Sequence, residues 1–157
     1  MRLHKRETTS PESINAILAA GSHCIISMVA PDGSPYAVPV NYGHDGTSLF
    51  FHCALEGKKL EILTANPAVW VTVVSHMQFD DGGPTAPACK ATSAFSSLMA
   101  SGTAHVLTDE KERSEAMRCI LRHFNIEDRS LSDMMRVTAL VRIDLTDICT
   151  KERPLNK

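Results

Sequence analysis

The stretch FFHCALEGKKLEILTANP, Phe50 to Pro67, decides the reading of the fold. Together with Ser48 and Leu49 before it, its apolar start reads as a strand that ends near Cys53. Leu55-Glu56-Gly57 is a turn, and Gly57 to Ala65 reads as a short helix with Leu60, Leu63 and Ile62 as its inward candidates, stopped by Asn66-Pro67. Lys58 and Lys59 fall in the first turn of that helix, where the dipole prefers negative charge. Free backbone N–H groups at the same end suit an anion, and a phosphate would turn the local cost into an attraction. The same pair reads equally as two solvated lysines on an exposed turn.

Upstream of this stretch, Ser10-Pro11-Glu12 gives a hydroxyl cap, a proline at the first helical position and an acid in the first turn. Ile14, Ile17 and Leu18 form the apolar face of that helix, and Gly21 ends it. The run Cys24 to Val29 is a strand closed by the turn Pro31-Asp32-Gly33-Ser34. A second strand, Tyr36 to Tyr42, carries Pro39 in its middle and is expected at a sheet edge or a bulge. His44-Asp45-Gly46-Thr47 is a hairpin turn into the Ser48 strand.

Downstream, Val69 to Val74 is β-branched and apolar, a central strand. Met77 to Thr92 holds Gly82, Gly83, Pro84 and Pro87 and is expected to be a long loop, either over or beside a ligand or a surface insertion without a role. Phe95 to Leu107 resumes strand character. Asp109 with Glu112 caps a helix running to about Phe124, with Ala116, Met117, Ile120 and Leu121 inward. Val137 to Cys149 closes the pattern as a last strand. Six strands joined mostly by tight turns, with three or so short helices, imply an antiparallel sheet that closes on itself.

The 157 residues suit one domain, 1–157, and a hydrophobic share of 43% supplies one core. A net charge of −2 argues against nucleic-acid backbones and acidic membrane surfaces as partners. No apolar run approaches the roughly 20 residues of a membrane span, and the charged N-terminus lacks the apolar stretch of a leader, so a cytoplasmic location is expected. The five cysteines are scattered, odd in number and free of CxxC pairs, so reduced thiols are the simplest account. The histidines show no metal spacing, and a dedicated metal site is not expected.

Two further segments carry candidate chemistry. In PYAVPVNY, Pro35 to Tyr42, a mid-strand proline removes a ladder donor and leaves neighbouring backbone groups for the edge of a planar heterocycle. Protection of a sheet edge is the plainer role for Pro39 and is preferred on local grounds. His52, at a strand end behind Phe50 and Phe51, is placed to bond a ligand in a cleft, although a lone strand histidine is more often structural.

Taken in order, PYAVPVNY, a glycine turn, FFHCALEGKKLEILTANP, FSSLMASGTAHVL and the closing VRIDLTDICTKERP resemble the pyridoxamine 5′-phosphate oxidase-like superfamily, nearest its nitroimidazole-resistance branch. The resemblance spans nearly the whole chain. It implies a mainly β fold with short helices, a six-stranded antiparallel FMN-binding split barrel of Greek-key type, and a homodimer with flavin between the subunits. Carried onto this chain, it makes Lys59 and Lys58 the ligands of the flavin phosphate. It sets Val38, Pro39, Val40 and Asn41 beside the isoalloxazine ring, His52, Cys53 and Ala54 along the phosphate and ribityl side, and Ser97 near the flavin. Phe95 stands where relatives often have tyrosine and Ser96 where they often have a basic residue. The arginine- and tryptophan-bearing C-terminal segment that holds substrate in true pyridoxamine phosphate oxidases has no counterpart here, which argues against oxidation of that vitamer. The implied function is an FMN-dependent reductase that passes electrons from a reduced nicotinamide to a small electron-poor acceptor such as a nitroaromatic, with no catalytic side chain assigned. A non-catalytic protein that holds flavin or haem is the alternative, and FAD or haem are the less favoured cofactors.

Overall fold

The computed structural model describes residues 7–85, 87–126 and 130–154. Residues 1–6, where the charged N-terminus was read, and Ala86, within the expected long loop, lie outside them. The described residues form eight strands and four α-helices, in chain order β1 Glu7–Thr8, α1 Pro11–Ala20, β2 Cys24–Val29, β3 Pro35–Val40, β4 Gly43–His44 and β5 Ser48–Ala54. After them come α2 Lys58–Ala65, β6 Ala68–Asp80, β7 Thr92–Val106, α3 Glu110–His123, α4 Ser132–Val137 and β8 Thr138–Arg153. All pairings are antiparallel, in the order β3-β2-β6-β7-β8-β5-β4, with β1 added on β8. Where six strands closing on themselves were expected, the described residues form eight strands on a path open between β3 and β4; the expected strands correspond to the long ones. The additional two, β1 and β4, are dipeptides too short to leave a periodic signal.

Local chemistry sets the element ends. Ser10 Oγ accepts from Ser13 N at 3.2 Å at the start of α1, and Asp109 Oδ1 accepts from Glu112 N at 2.9 Å at the start of α3. Gly21 ends α1 with extended, not left-handed, backbone. Glycine is needed there for space, since a Cβ would meet Tyr42 Oη and Val73 Cγ1 at 2.6 Å each. Pro39 sits in β3, which pairs only with β2, so the proline occupies a sheet edge as expected.

The sheet has apolar layers on both faces. The larger holds Ile26, Val71, Val73, Leu98, Val141 and Ile143, all fully buried, together with Ile17 and Leu18 of α1. The smaller lies where α3 packs on β5 and β8, with Ala116, Met117, Ile120, Leu140 and Phe50.

The expected loop from Met77 to Thr92 is shorter than its glycines and prolines suggested. Met77, Gln78 and Phe79 continue β6 and pair with Phe95, Ala94 and Ser93, leaving 81–91 as the connection, with a short 3₁₀ turn at Ala88–Lys90. The breakers cluster in the connection itself, and the ladder runs right up to them. The β6–β7 register shifts between Val74 and His76, which makes Ser75 a bulge. Without it, alternation from Trp70 and Val74 would carry His76 and Gln78 outward. With it, Met77 and Phe79 join Trp70 and Val74 on that face instead.

Candidate functional site

The start of α2 is built by glycine. Gly57 takes φ +125°, a conformation open to glycine, and turns the chain from β5 into the helix. No side chain caps that end, so the first N–H groups of α2 point out of the helix unpaired by a cap. Lys58 and Lys59 sit on this turn. Lys58 is exposed, with Nζ 5.2 Å from the centre of the Tyr36 ring on β3, and Lys59 is half-buried, with Nζ 5.2 Å from the centre of the Phe51 ring on β5. Each ammonium therefore rests on an aromatic face, an arrangement that holds a cation without neutralising it. Tyr36, within the quoted PYAVPVNY, was not singled out from the sequence.

The Lys59 charge reaches several neighbouring groups, each shifted first by burial. Burial holds the His52 imidazole below its ordinary pKa, and the Lys59 charge lowers it further, so it is neutral at neutral pH. Burial raises the Cys53 thiol while Lys59 opposes the rise. On β2, burial pushes the Cys24 thiol up to about 12, with Lys59 again opposing. One half-buried ammonium thus acts on groups of β2 and β5, at the uncapped start of α2. Uncapped donors and two cations that form no salt bridge among the described residues suit a phosphate monoester.

The other predicted residues are distributed over both faces of the sheet. In β3, Val38 and Val40 turn toward the larger core, whereas Pro39 and Asn41 are exposed on the other side, with Asn41 Nδ2 donating to Ser22 O at 3.0 Å. In β5, Cys53 packs with Leu49 and Phe51 against the larger core, and alternation puts His52 and Ala54 on the side of Phe50, toward α3. The three consecutive residues do not form one lining. Ser97 lies on β7, three strands from β3 in the sheet order, opposite Val74, and its Oγ donates to Lys151 O at 3.4 Å.

Three clefts lie elsewhere, none including a predicted site residue. One of about 490 Å³ between α3 and β5–β8 holds Arg142, which contacts Asp144 at 2.9 Å and Glu112 at 4.0 Å. One of about 310 Å³ is lined by His44, Cys119, Arg122 and His123. The third, of about 870 Å³, lies between α3, α4 and Leu55. Among the described residues, no group of three or more His, Cys, Asp or Glu is arranged to hold a metal ion, and no helix is long and apolar enough to cross a membrane. All five cysteines are free thiols.

Comparison with solved structures finds the same fold across proteins of low identity. A candidate 5-nitroimidazole antibiotic resistance protein from Bacteroides thetaiotaomicron matches with a TM-score of 0.80 at 24% identity, over 92% of this chain and 85% of that one. An FAD- and haem-binding protein from Mycobacterium smegmatis matches with a TM-score of 0.80 at 18% identity, over 97% and 77%. An FAD-binding protein from Mesorhizobium loti matches with a TM-score of 0.67 at 24% identity, over 95% and 98%. No curated protein sequence matches the chain. The sequence model described as pyridoxamine 5′-phosphate oxidase matches residues 10–152, which takes in the edge strand with Pro39, the lysine-headed α2 and all but the last residue of β8. The chain belongs to the pyridoxamine 5′-phosphate oxidase family.

Proposed function

We propose that this chain is an FMN-binding flavoprotein that works as a homodimeric reductase, taking electrons from a reduced nicotinamide and passing them to a small electron-poor acceptor such as a nitroaromatic. The observation that carries the reading is the pair of ammonium groups at the uncapped, glycine-turned start of α2. Lys58 and Lys59 would hold the phosphate, aided by backbone N–H groups of the same turn. His52, Cys53 and Ala54, at the end of β5 beside them, would flank the ribityl chain, and Val38 to Asn41 and Ser97 would approach the ring system. Bound FMN would supply the redox chemistry, and the side chains bind and orient it. The FAD- and haem-binding and FAD-binding proteins named above support a flavin as the ligand. The sheet, unpaired between β3 and β4 or β5 among the described residues, fits the split of a six-stranded Greek-key barrel spanning 1–157.

The homodimer has support of its own. Ile25, Val29, Trp70, Val74, Met77 and Phe79 are exposed on the outward side of β2 and β6, an apolar surface that monomers seldom leave in water. Dilution should separate subunits and release flavin together, and a monomer that retains flavin at nanomolar concentration would rule the dimeric site out.

The phosphate assignment is tested with Lys59→Ala. A charge-assisted bond of this kind contributes roughly 1.5–3 kcal/mol, so FMN affinity should fall by that amount while riboflavin, which lacks the phosphate, is nearly indifferent. Equal losses for both ligands would sink the assignment. Haem is the second reading, favoured by one observation: His52 is held neutral, the form in which imidazole ligates iron. A Soret band that vanishes in His52→Ala would establish it, and a yellow preparation without one supports flavin.

A further inference from the structure

The 870 Å³ cleft between α3, α4 and the β5–α2 turn is of a size that accommodates a nucleotide. Among the described residues its charged lining is Arg113, Arg118 and Arg136 against one acid, Glu110, an excess of cations in a chain whose net charge is −2. The neighbouring 490 Å³ cleft is different, because its Arg142 is already matched by Asp144 and Glu112. Among the described residues, neither Arg118 nor Arg136 has an ion-pair partner. Arg113 is held in place, its guanidinium donating from one nitrogen to Met135 O at 2.7 Å and Thr138 O at 3.1 Å. Ser114 and Ser132 add hydroxyls to the same wall.

The position of the cleft ties it to α2. Thr138, whose carbonyl anchors Arg113, is the direct cross-strand partner of Ala54. Leu55, the next residue, lines the cleft itself and stands only three residues before Lys58, at most about 10 Å of extended chain. His52 and Ala54 face the α3 side of the sheet, the side on which the cleft opens. A ligand whose phosphate sits at the α2 start therefore has a second, cationic compartment within reach of the same turn.

We propose that this cleft binds the adenosine-phosphate half of a dinucleotide. Two sources share that chemistry: the tail of FAD, continuing from the flavin phosphate, and the adenosine diphosphate of the reduced nicotinamide. The FAD case rests on the flavin assignment made above. The cleft itself does not, and the experiment separates them.

The test titrates ADP into the parent protein and into an Arg118→Ala/Arg136→Ala double variant by calorimetry. Both side chains are exposed, and Arg113, which braces α4, is left intact. ADP affinity should fall at least tenfold in the double variant, while FMN affinity stays at the parental value. An Arg118→Lys/Arg136→Lys pair should recover most of the loss. If FAD affinity falls in step with that for ADP, the flavin dinucleotide is the occupant. If FAD tracks FMN and the KM for the reduced nicotinamide rises instead, the reductant is. Parent and variant binding ADP equally, or no ADP binding to the parent, overturns the cleft while leaving the Lys59 reading intact. ADP binding that depends on the arginine pair in a protein that takes up no FMN overturns the flavin reading and leaves the cleft standing.

Discussion

The inner face of strands β2, β6 and β7 and the outer face of β2 and β6 are both apolar, yet they do different things. On the inner face Ile26, Val71, Val73 and Leu98 are completely covered by the chain's own atoms. On the outer face of the same strands, Trp70 is 47% exposed, Met77 70% and Phe79 69%. Alternation along a strand ordinarily separates apolar from polar, with water on the second side. Here it separates apolar surface the chain covers from apolar surface the chain leaves open. The lesson is that the inner face specifies the fold, and the outer face specifies what the fold meets.

The strongest way to break this comparison is to truncate one residue on each side. Ile143→Ala, in the covered layer, should cost about 2–5 kcal/mol in denaturant unfolding, at every protein concentration. Trp70→Ala should cost under about 1 kcal/mol in the dilute monomer and lose more only where copies associate. Equal, concentration-independent losses would make the outer face ordinary core.

A subtler variant removes Ser75. Deleting the bulge returns His76 and Gln78 to the outer face and turns Met77 and Phe79 inward. Sedimentation should then show weaker self-association, with a smaller loss of chain stability than Ile143→Ala causes. Unchanged association would detach Met77 and Phe79 from the interface.

The smallest expected effect lies outside both faces, where His44 of β4 packs 5.8 Å ring to ring from His123 of α3, beside Cys119, Arg122 and its neighbour Asp45. Burial first, then His123, holds the His44 pKa below its ordinary 6.5, with Asp45 opposing. The unfolded chain therefore binds this proton at a higher pH than the folded one. Stability is unaffected above 6.5, declines as pH falls below it, and levels off below the folded pKa. His52, shifted the same way by burial and Lys59, adds to the slope. His44→Gln should flatten part of that acid-side decline, and an unchanged slope would locate it elsewhere.

Much of the fold is legible because its signals are local. Ser10 and Asp109 cap their helices through side chains three residues away, and Pro39 declares an edge by lacking an N–H. What escaped is set by pairing across the sheet. Ser75 looks like any strand serine until its partner strand is known, and Met77 to Asp80 resembled loop because the breakers beyond it dominated the window. α4 at Ser132–Val137 has only six residues and follows no capping side chain, so it left no pattern to read. At the site, the lysine pair was visible as sequence. That His52 and Cys53 point to opposite faces, and that three arginines from α3 and α4 gather beside Leu55, depends on packing between segments far apart in the chain.

The hairpin formed by β6 and β7 has one more consequence. β2 pairs with β6 only from Trp70 to Val73, so from Val74 to Asp80 that edge has no strand beside it among the described residues. An open edge flanked by Met77 and Phe79 is a template for unintended strand addition, the first step of aggregation. The kink at Ser75 and the charge of Asp80 are the features that spoil a flat edge for such growth. A partner that covered this hairpin would also close the open edge to such growth.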